Sequence, residues 1–122
     1  MYFASGSATE PTTAEVTLVK DTLANNRYEG VELEEGKATL KSDTINGSGR
    51  VGIDLYQTGS QQSSSKSSAT GTSIEGQTEA AIKVESDKSP SDKSGKFTFA
   101  SGSATGNGTV LINESNNFEV VF

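Results

Sequence analysis

An internal repeat constrains the fold of this chain more than any other feature of its sequence. Residues 36–53 and 95–112 align without a gap, and eight of the 18 aligned positions are identical. The segment FASGSAT at residues 3–9 occurs again, letter for letter, at residues 99–105. Repetition on this scale indicates that one supersecondary unit is used several times. We therefore interpret the chain as three copies of a single unit.

Apolar side chains within the repeat recur at every second position, which is the period of a β-strand with one buried face. Leu40 and Phe99 occupy equivalent positions in the first half of the unit, next to the alternating residues Ala38 and Phe97. A second set alternates in the same way and is expected to point inward: Val51, Ile53, Leu55, Ala80, Ile82, Val84, Val110 and Ile112. Each copy is thus predicted to be a strand, a turn and a strand.

The turns are predicted from Asn-Gly pairs. Asn46-Gly47 and Asn107-Gly108 lie between the two strands of their units, and Asn-Gly is the strongest short-range signal for a β-hairpin. We predict hairpin units at residues 2–19, 37–56 and 96–113. The Ser-rich segment 57–73 is predicted to be a loop by its composition, and residues 117–122 are predicted to form a C-terminal strand.

These units predict an all-β fold of about nine strands in one domain spanning residues 1–122, arranged as an antiparallel β-sandwich or a jelly-roll-like barrel. Val, Ile, Leu and Phe together number only 24 of the 122 residues, so the core is expected to be thin. A thin core stabilises a lone subunit weakly. We therefore expect a homo-oligomer or a larger protein assembly.

Catalysis is not expected, because the chain has no histidine, cysteine or tryptophan and no carboxylate pair outside solvated turns. We predict no catalytic, cofactor-binding or metal-binding residues, no cofactor, and a protein that is not an enzyme. The net charge is −6 and the ten basic residues are scattered, which argues against nucleic acid as a partner. No run of about 20 apolar residues predicts membrane insertion, and the first residues lack the pattern of a signal peptide.

The apolar termini suggest a role in assembly. Tyr2, Phe3, Phe118, Val120 and Phe122 could act as strand arms that pair with a neighbouring subunit. Our first hypothesis is a structural component of a virion: a decoration, cement or fibre protein. The alternative is an extracellular fibre subunit, pilus-like with donor-strand pairing, or an adhesin domain. A lower alternative is a carbohydrate-binding module that would stack glycans on Tyr2, Tyr28 or Tyr56.

Overall fold

The computed structural model describes residues 1–4, 15–34, 36–47, 49–57, 66–86, 95–115 and 118–122. Within these ranges the backbone forms fourteen β-strands and no helix. The strands are β1 (Tyr2–Ala4), β2 (Glu15–Val19), β3 (Thr22–Ala24), β4 (Glu29–Glu34), β5 (Lys37–Lys41), β6 (Thr44–Asn46), β7 (Val51–Gln57), β8 (Lys66–Thr70), β9 (Ser73–Glu75), β10 (Ala80–Ser86), β11 (Gly95–Ala100), β12 (Ser103–Thr105), β13 (Thr109–Glu114) and β14 (Phe118–Val121).

The strands form three sheets in which every pair is parallel. Sheet A has the order β1-β4-β7-β10-β13, sheet B has β2-β5-β8-β11-β14, and sheet C has β3-β6-β9-β12. Each strand therefore pairs with the strands three places before and after it, so the chain coils as a parallel β-helix. One turn, which we call a rung, passes through sheets B, C and A. Four rungs are complete, and β1 and β14 form half-rungs at the two ends.

The predicted antiparallel sandwich or jelly roll built from three hairpins is wrong. In the second unit β5 pairs with β2 and β8, whereas β7 pairs with β4 and β10, so the two predicted arms of the hairpin lie in different sheets. The repeat itself is real. Its two matched segments lie in the second and the fourth rung, because β8, β9 and β10 form the third rung between them.

The Asn-Gly pairs turn corners of the coil and do not reverse the chain. Gly47 of the first pair has φ of 63° and lies between sheet C and sheet A. At the same corner of the last rung the left-handed residue is Gly106, with φ of 65°, which directly precedes the pair Asn107-Gly108. Asn25 and Gly76 occupy the same corner in the other two rungs, with φ of 57° and 73°. A two-residue hairpin of the expected type needs positive φ at both central residues. Here each rung uses one left-handed residue at this corner, which redirects the backbone into the next sheet.

A second left-handed position marks the corner between sheets B and C, where Lys20, Ser42, Gly71 and Ser101 follow one another in successive rungs. A buried carboxylate supports this corner. Asp43 Oδ1 accepts a hydrogen bond from the backbone N–H of Asp21 at 2.8 Å, and Oδ2 accepts one from Lys41 N–H at 2.8 Å. Because these backbone donors lie on two rungs, Asp43 holds the corners of both in place.

The burial of Leu40, Ile53 and Phe99, on which the strand predictions depend, is confirmed. Leu40 and Ile53 are fully buried, and Phe99 is 7% exposed. The interior is a set of columns in which side chains of successive rungs stack: Leu18, Val31, Leu33, Ala38, Leu40, Ile45, Ile53, Leu55, Ala69, Ile74, Ala81, Ile82, Val84, Phe97 and Phe99. A narrow core of this kind can be built from few apolar residues, because each rung contributes only a handful of them.

The predicted Ser-rich loop at residues 57–73 contains strand β8 and the start of β9, and its residues 58–65 lie outside the described ranges. Ser67 is buried in the interior, where its Oγ accepts a hydrogen bond from the backbone N–H of Ala38 at 3.0 Å. A buried hydroxyl that accepts a hydrogen bond is tolerated in a core. Residue 67 thus occupies a core column despite its polarity.

The repeat slips by one residue in its last copy. In sheet C, Thr44, Ser73 and Ser103 are register partners in successive rungs. In sheet A, the partners are Ile53, Ile82 and Leu111, whereas the sequence repeat aligns Ile53 with Ile112. The corner before β13 is therefore one residue shorter, and such a slip exchanges the two faces of a strand. Ile112, predicted to point inward, lies in the column of Lys83 and is only partly buried. Ala81, which the predicted inward positions of Ala80 and Ile82 would place on the outer face, is buried in the core.

Candidate functional site

Apolar side chains are left uncovered at the C-terminal end of the coil. Val110 in β13 lies in the same column of the coil as Ala81 of the rung below. Val110 is 43% exposed, whereas Ala81 is fully buried. Ala104 stacks on the buried Ile74 and is itself only partly buried. We call the surface formed by Ala104, Val110, Leu111, Val120 and Phe122 the C-terminal end surface. Among the described residues no further rung lies above these core columns, which accounts for the exposure of this surface.

The sheet edges at this end are also open. β13 is the last strand of sheet A, β14 of sheet B and β12 of sheet C. Among the described residues no further strand pairs with their outer edges, so each presents a row of backbone donors and acceptors. Open edges of this kind are templates for pairing with another strand. The end surface therefore combines the outer edges of the last strands with exposed apolar side chains.

The N-terminal end of the coil is formed by β1, β2 and β3. β1 pairs with β4, with Tyr2 opposite Glu32 and Ala4 opposite Glu34. The core columns are better covered at this end, since Leu18 is only 9% exposed. Val16 and Leu23 are partly buried against the core, whereas Val19 faces solvent. The two ends of the coil thus differ in how much apolar surface they expose.

The five predicted assembly residues fall at the two ends of the coil. Tyr2 and Phe3 lie in β1, Phe118 and Val120 lie in β14, and Phe122 follows β14, so the structure does not bring the two groups together. Val120 packs against the core, and the exposed Phe122 ring contacts the ring of Phe99 edge to face at 6.2 Å. The side chains of Tyr2, Phe3 and Phe118 lie outside the part that the structure describes.

Three residues of the end surface were missed from the sequence: Ala104, Val110 and Leu111. The signal that could have found them is the single-rung spacing, since Lys66 of β8 stacks directly on Lys96 of β11. A repeat of about 30 residues with parallel strands predicts a stack that has two exposed ends. The match between residues 36–53 and 95–112 concealed this spacing, because it compares every second rung.

A second candidate site is a group of charged residues on the outer face of sheet A, formed by Glu32, Asp54, Lys83 and Glu85 in adjacent strands. Burial, together with the charge of Glu85, raises the pKa of Asp54 to about 7, although Lys83 acts in the opposite direction. One carboxylate oxygen of Asp54, Oδ1, is buried without a hydrogen-bond partner. Lys83 donates to Glu85, and burial together with the charges of Glu29 and Glu34 raises the pKa of Glu32.

The described side chains of this group do not meet the requirements of a metal site. Among the described residues no three His, Cys, Asp or Glu side chains are placed to hold a metal ion. The cation of Lys83 is already paired, and the orphan oxygen of Asp54 is shielded from solvent. A buried acid with a raised pKa on a sheet surface therefore has its main consequence in the pH dependence of stability.

A third candidate is a depression of about 210 Å³ beside Tyr28, which Glu29 and Glu32 also line. The Arg27 guanidinium lies 5.2 Å from the centre of the Tyr28 ring and covers one of its faces. Tyr56 lies in β7, in register with Glu34 at the far end of the neighbouring strand β4. Tyr28 and Tyr56 therefore do not form a common platform, which leaves the carbohydrate-binding alternative without support from a shared stacking surface.

Comparison with known proteins identifies no relative. No protein-family model, no curated protein and no solved structure matches the chain. In the described part of the chain no helix has the length and apolar character to cross a membrane. The C-terminal end surface is thus the strongest candidate for a functional site, because it combines exposed apolar side chains with strand edges that no other described strand covers.

Proposed function

We propose that this chain is a non-enzymatic structural segment of a fibre-like assembly, in which it associates through the open end of its coil. The supporting observation is the C-terminal end surface, where Val110 and Phe122 are exposed beside the buried core. Burying such residues against a partner is favourable by about 25 cal/mol per Å² of apolar surface. Pairing of the open strands would add backbone hydrogen bonds.

The polar side chains of the interior support a structural role. Asp43 and Ser67 bind backbone N–H groups of neighbouring rungs, and Gln77 Nε2 donates to the backbone carbonyl of Glu75 at 2.7 Å. Each of these groups holds one part of the coil to another. These side chains bind the backbone of the coil itself, as expected when a repeat protein is stabilised by interfaces between successive units.

A virion decoration, cement or fibre component remains our first proposal for the setting. A subunit of an extracellular fibre, or an adhesin, is the second. The mode of association differs from simple arm exchange in either setting, because β14 already pairs with β11 of its own chain. We propose that the half-rung strands stay in place and present their outer edges to the partner.

The test is the mass of the purified chain as a function of concentration, measured by sedimentation velocity and electron microscopy. Val110→Glu adds a charge to the end surface and should leave a folded monomer, with β-rich circular dichroism unchanged. Thr70→Glu is the matched control, since it adds the same charge at an exposed position of β8 in the middle of sheet B. A native chain that stays monomeric at high concentration, or a Val110→Glu variant that assembles normally, would contradict the proposal.

A further inference from the structure

The chain carries its positive and negative charges on different sides of the coil. Strands β5, β8 and β11 of sheet B contain no acidic residue, and their outward side chains include Lys37, Lys41, Lys66 and Lys96, which we call the basic face. Strands β4, β7, β10 and β13 of sheet A contain six acidic residues and a single basic one, Lys83. The net charge of −6 is therefore unevenly distributed, and one side of the coil is basic.

Three lysines of the basic face form one column. Lys66 is the register partner of Lys96, and the register of β5 with β8 places Lys37 beside Lys66. Adjacent strands are about 4.8 Å apart, and like charges directly opposite one another oppose strand pairing. The neighbouring outward column consists of short hydroxyl side chains: Thr39, Ser68 and Thr98. The long lysine side chains therefore project beyond their neighbours, and Lys66 and Lys96 are exposed.

Carboxylates form columns of the same kind on the outer face of sheet A. Glu85 is the register partner of Glu114, and Glu32 is the register partner of Asp54. We call these four residues the acidic face. Lys83 donates to Glu85, which offsets part of the repulsion, and Glu114 is exposed. Like charges are thus neighbours on this face as they are on the basic face.

The two faces are opposite in charge and equal in spacing. Both are built on parallel strands, so their charged groups repeat at the same interval of about 4.8 Å along the coil. When two coils lie side by side, the adjacent Lys66 and Lys96 of one copy can meet an adjacent pair of carboxylates, Glu85 and Glu114, of the other. Such a contact relieves the repulsion between like charges on both faces.

We propose that a second copy of this chain binds side by side, with its acidic face on the basic face of the first copy. This inference goes beyond the proposed function, because the contact uses the sides of the coil and not the C-terminal end surface. The contact joins two different faces and leaves one face of each kind free, so it can be repeated. Salt screens a contact between exposed charges, whereas the apolar contact at the end surface does not depend on charge.

The experiment is sedimentation velocity of the Val110→Glu variant, in which the end contact is weakened and the side contact is isolated. Dimers should form at low ionic strength and dissociate when sodium chloride is added. In this background Lys66→Glu and Glu114→Lys should each lower the association constant roughly tenfold, because attractive pairs become repulsive. Glu75→Lys is the control for Glu114→Lys, since it changes the net charge equally at an exposed position of sheet C. It should not weaken association.

An equimolar mixture of the two weakened variants gives a second measurement. The Lys66→Glu copy keeps a native acidic face, and the Glu114→Lys copy keeps a native basic face. The mixture should therefore form dimers with an association constant close to that of the Val110→Glu parent, although each variant alone does not.

The outcomes separate this inference from the proposed function. A Val110→Glu chain that stays monomeric at low ionic strength overturns the side contact and leaves the end contact standing, as does a mixture that associates no more tightly than its components. A monomer that binds poly-glutamate, and loses this binding in Lys66→Glu, also overturns it and assigns the basic face to an external polyanion. The end contact is tested by the native chain in high salt, where the side contact is screened.

Discussion

The side chain of Asn107 and the backbone of Gln77 join two successive rungs. Asn107 Oδ1 accepts a hydrogen bond from the Gln77 N–H at 2.9 Å, and Asn107 Nδ2 donates to the carbonyl of Ile74 at 3.0 Å. Gln77 in turn donates toward Ile45 O of the rung below, at 3.5 Å. An amide column therefore runs through the corner between sheets C and A, and it satisfies backbone groups that face the inside of the turn.

Replacing Asn107 with alanine should destabilise the fold. The change leaves one backbone donor and one backbone acceptor without their partners in a partly buried corner, which costs roughly 1–3 kcal/mol. Urea unfolding followed by circular dichroism would measure the loss. Asn46→Ala is the control, because Asn46 is an exposed Asn of the same Asn-Gly type; equal losses in both variants would contradict a specific role for the amide column.

Gly52→Ala should be strongly destabilising for steric reasons. A Cβ atom at residue 52 would lie 2.4 Å from Ile74 Cγ2 and 2.6 Å from the carbonyl oxygen of Ala81. Overpacking of this kind typically costs about 1–3 kcal/mol, and here one of the two clashing atoms belongs to the backbone. Denaturant unfolding should show a lower midpoint than the native chain, and a native-like midpoint would mean that sheets C and A are not so closely packed.

Ser42→Gly should stabilise the fold. Ser42 has φ of 59°, in the left-handed region, and the next rung has Gly71 at this position with φ of 64°. A side chain in this conformation costs about 1 kcal/mol, part of which is offset by the greater freedom of glycine in the unfolded chain. The reciprocal variant Gly71→Ser should be destabilised. Opposite shifts of the thermal midpoint would support the equivalence of the two corners, and shifts of the same sign would oppose it.

Asp54 should make the protein less stable as the pH rises. The folded-state pKa of about 7 lies above the ordinary value of 3.8, so the folded chain binds more protons between these values. The free energy of unfolding should therefore fall from about pH 4 to about pH 7 and change little above. Asp54→Asn removes this cost and should stabilise the fold at pH 8 by at most roughly 4 kcal/mol.

The measurement is urea unfolding of the native chain and Asp54→Asn at pH 4.5 and pH 8. Their difference should be small at the lower pH and large at the higher one. Glu75→Gln, a neutral replacement of an exposed carboxylate, is the control and should show no such trend. Glu32 has a pKa raised in the same direction, so Asp54→Asn should keep part of the pH dependence. A pH-independent gain would mean that the charge of Asp54 is not the cause.

The strands could be predicted from the sequence because burial with a period of two is a local property. Leu40 and Ile53 alternate with polar residues whichever strand pairs with them, so their burial was predictable. The pairing was not, because alternation is the same in a hairpin and in a parallel rung. Asn46-Gly47 favoured the hairpin, since a left-handed residue is needed in both a reversal and a corner.

The rung at β8 to β10 was hidden by its composition. Ser67 and Ala69 occupy the core positions that Ala38 and Leu40 fill one rung earlier, and neither is a typical core residue of a strand. Because this rung does not match the repeat in its sequence, the repeat is visible only between the second and the fourth rung. Two matching segments with no visible copy between them resemble two separate hairpins. The end surface could not be predicted while the pairing was wrong, because a closed sandwich has no exposed ends of this kind.

The left-handed corners recur once per rung from Lys20 to Gly106, so one whole rung is the smallest segment that can be added or removed without changing a corner. Each rung meets only its two neighbours, and the corners have the same spacing in the first three rungs. Duplication of one whole turn there, about 29 residues from β5 to β8, would therefore preserve the junctions between these rungs. A lineage can therefore lengthen or shorten the rod in steps of about 4.8 Å, without redesigning either tip.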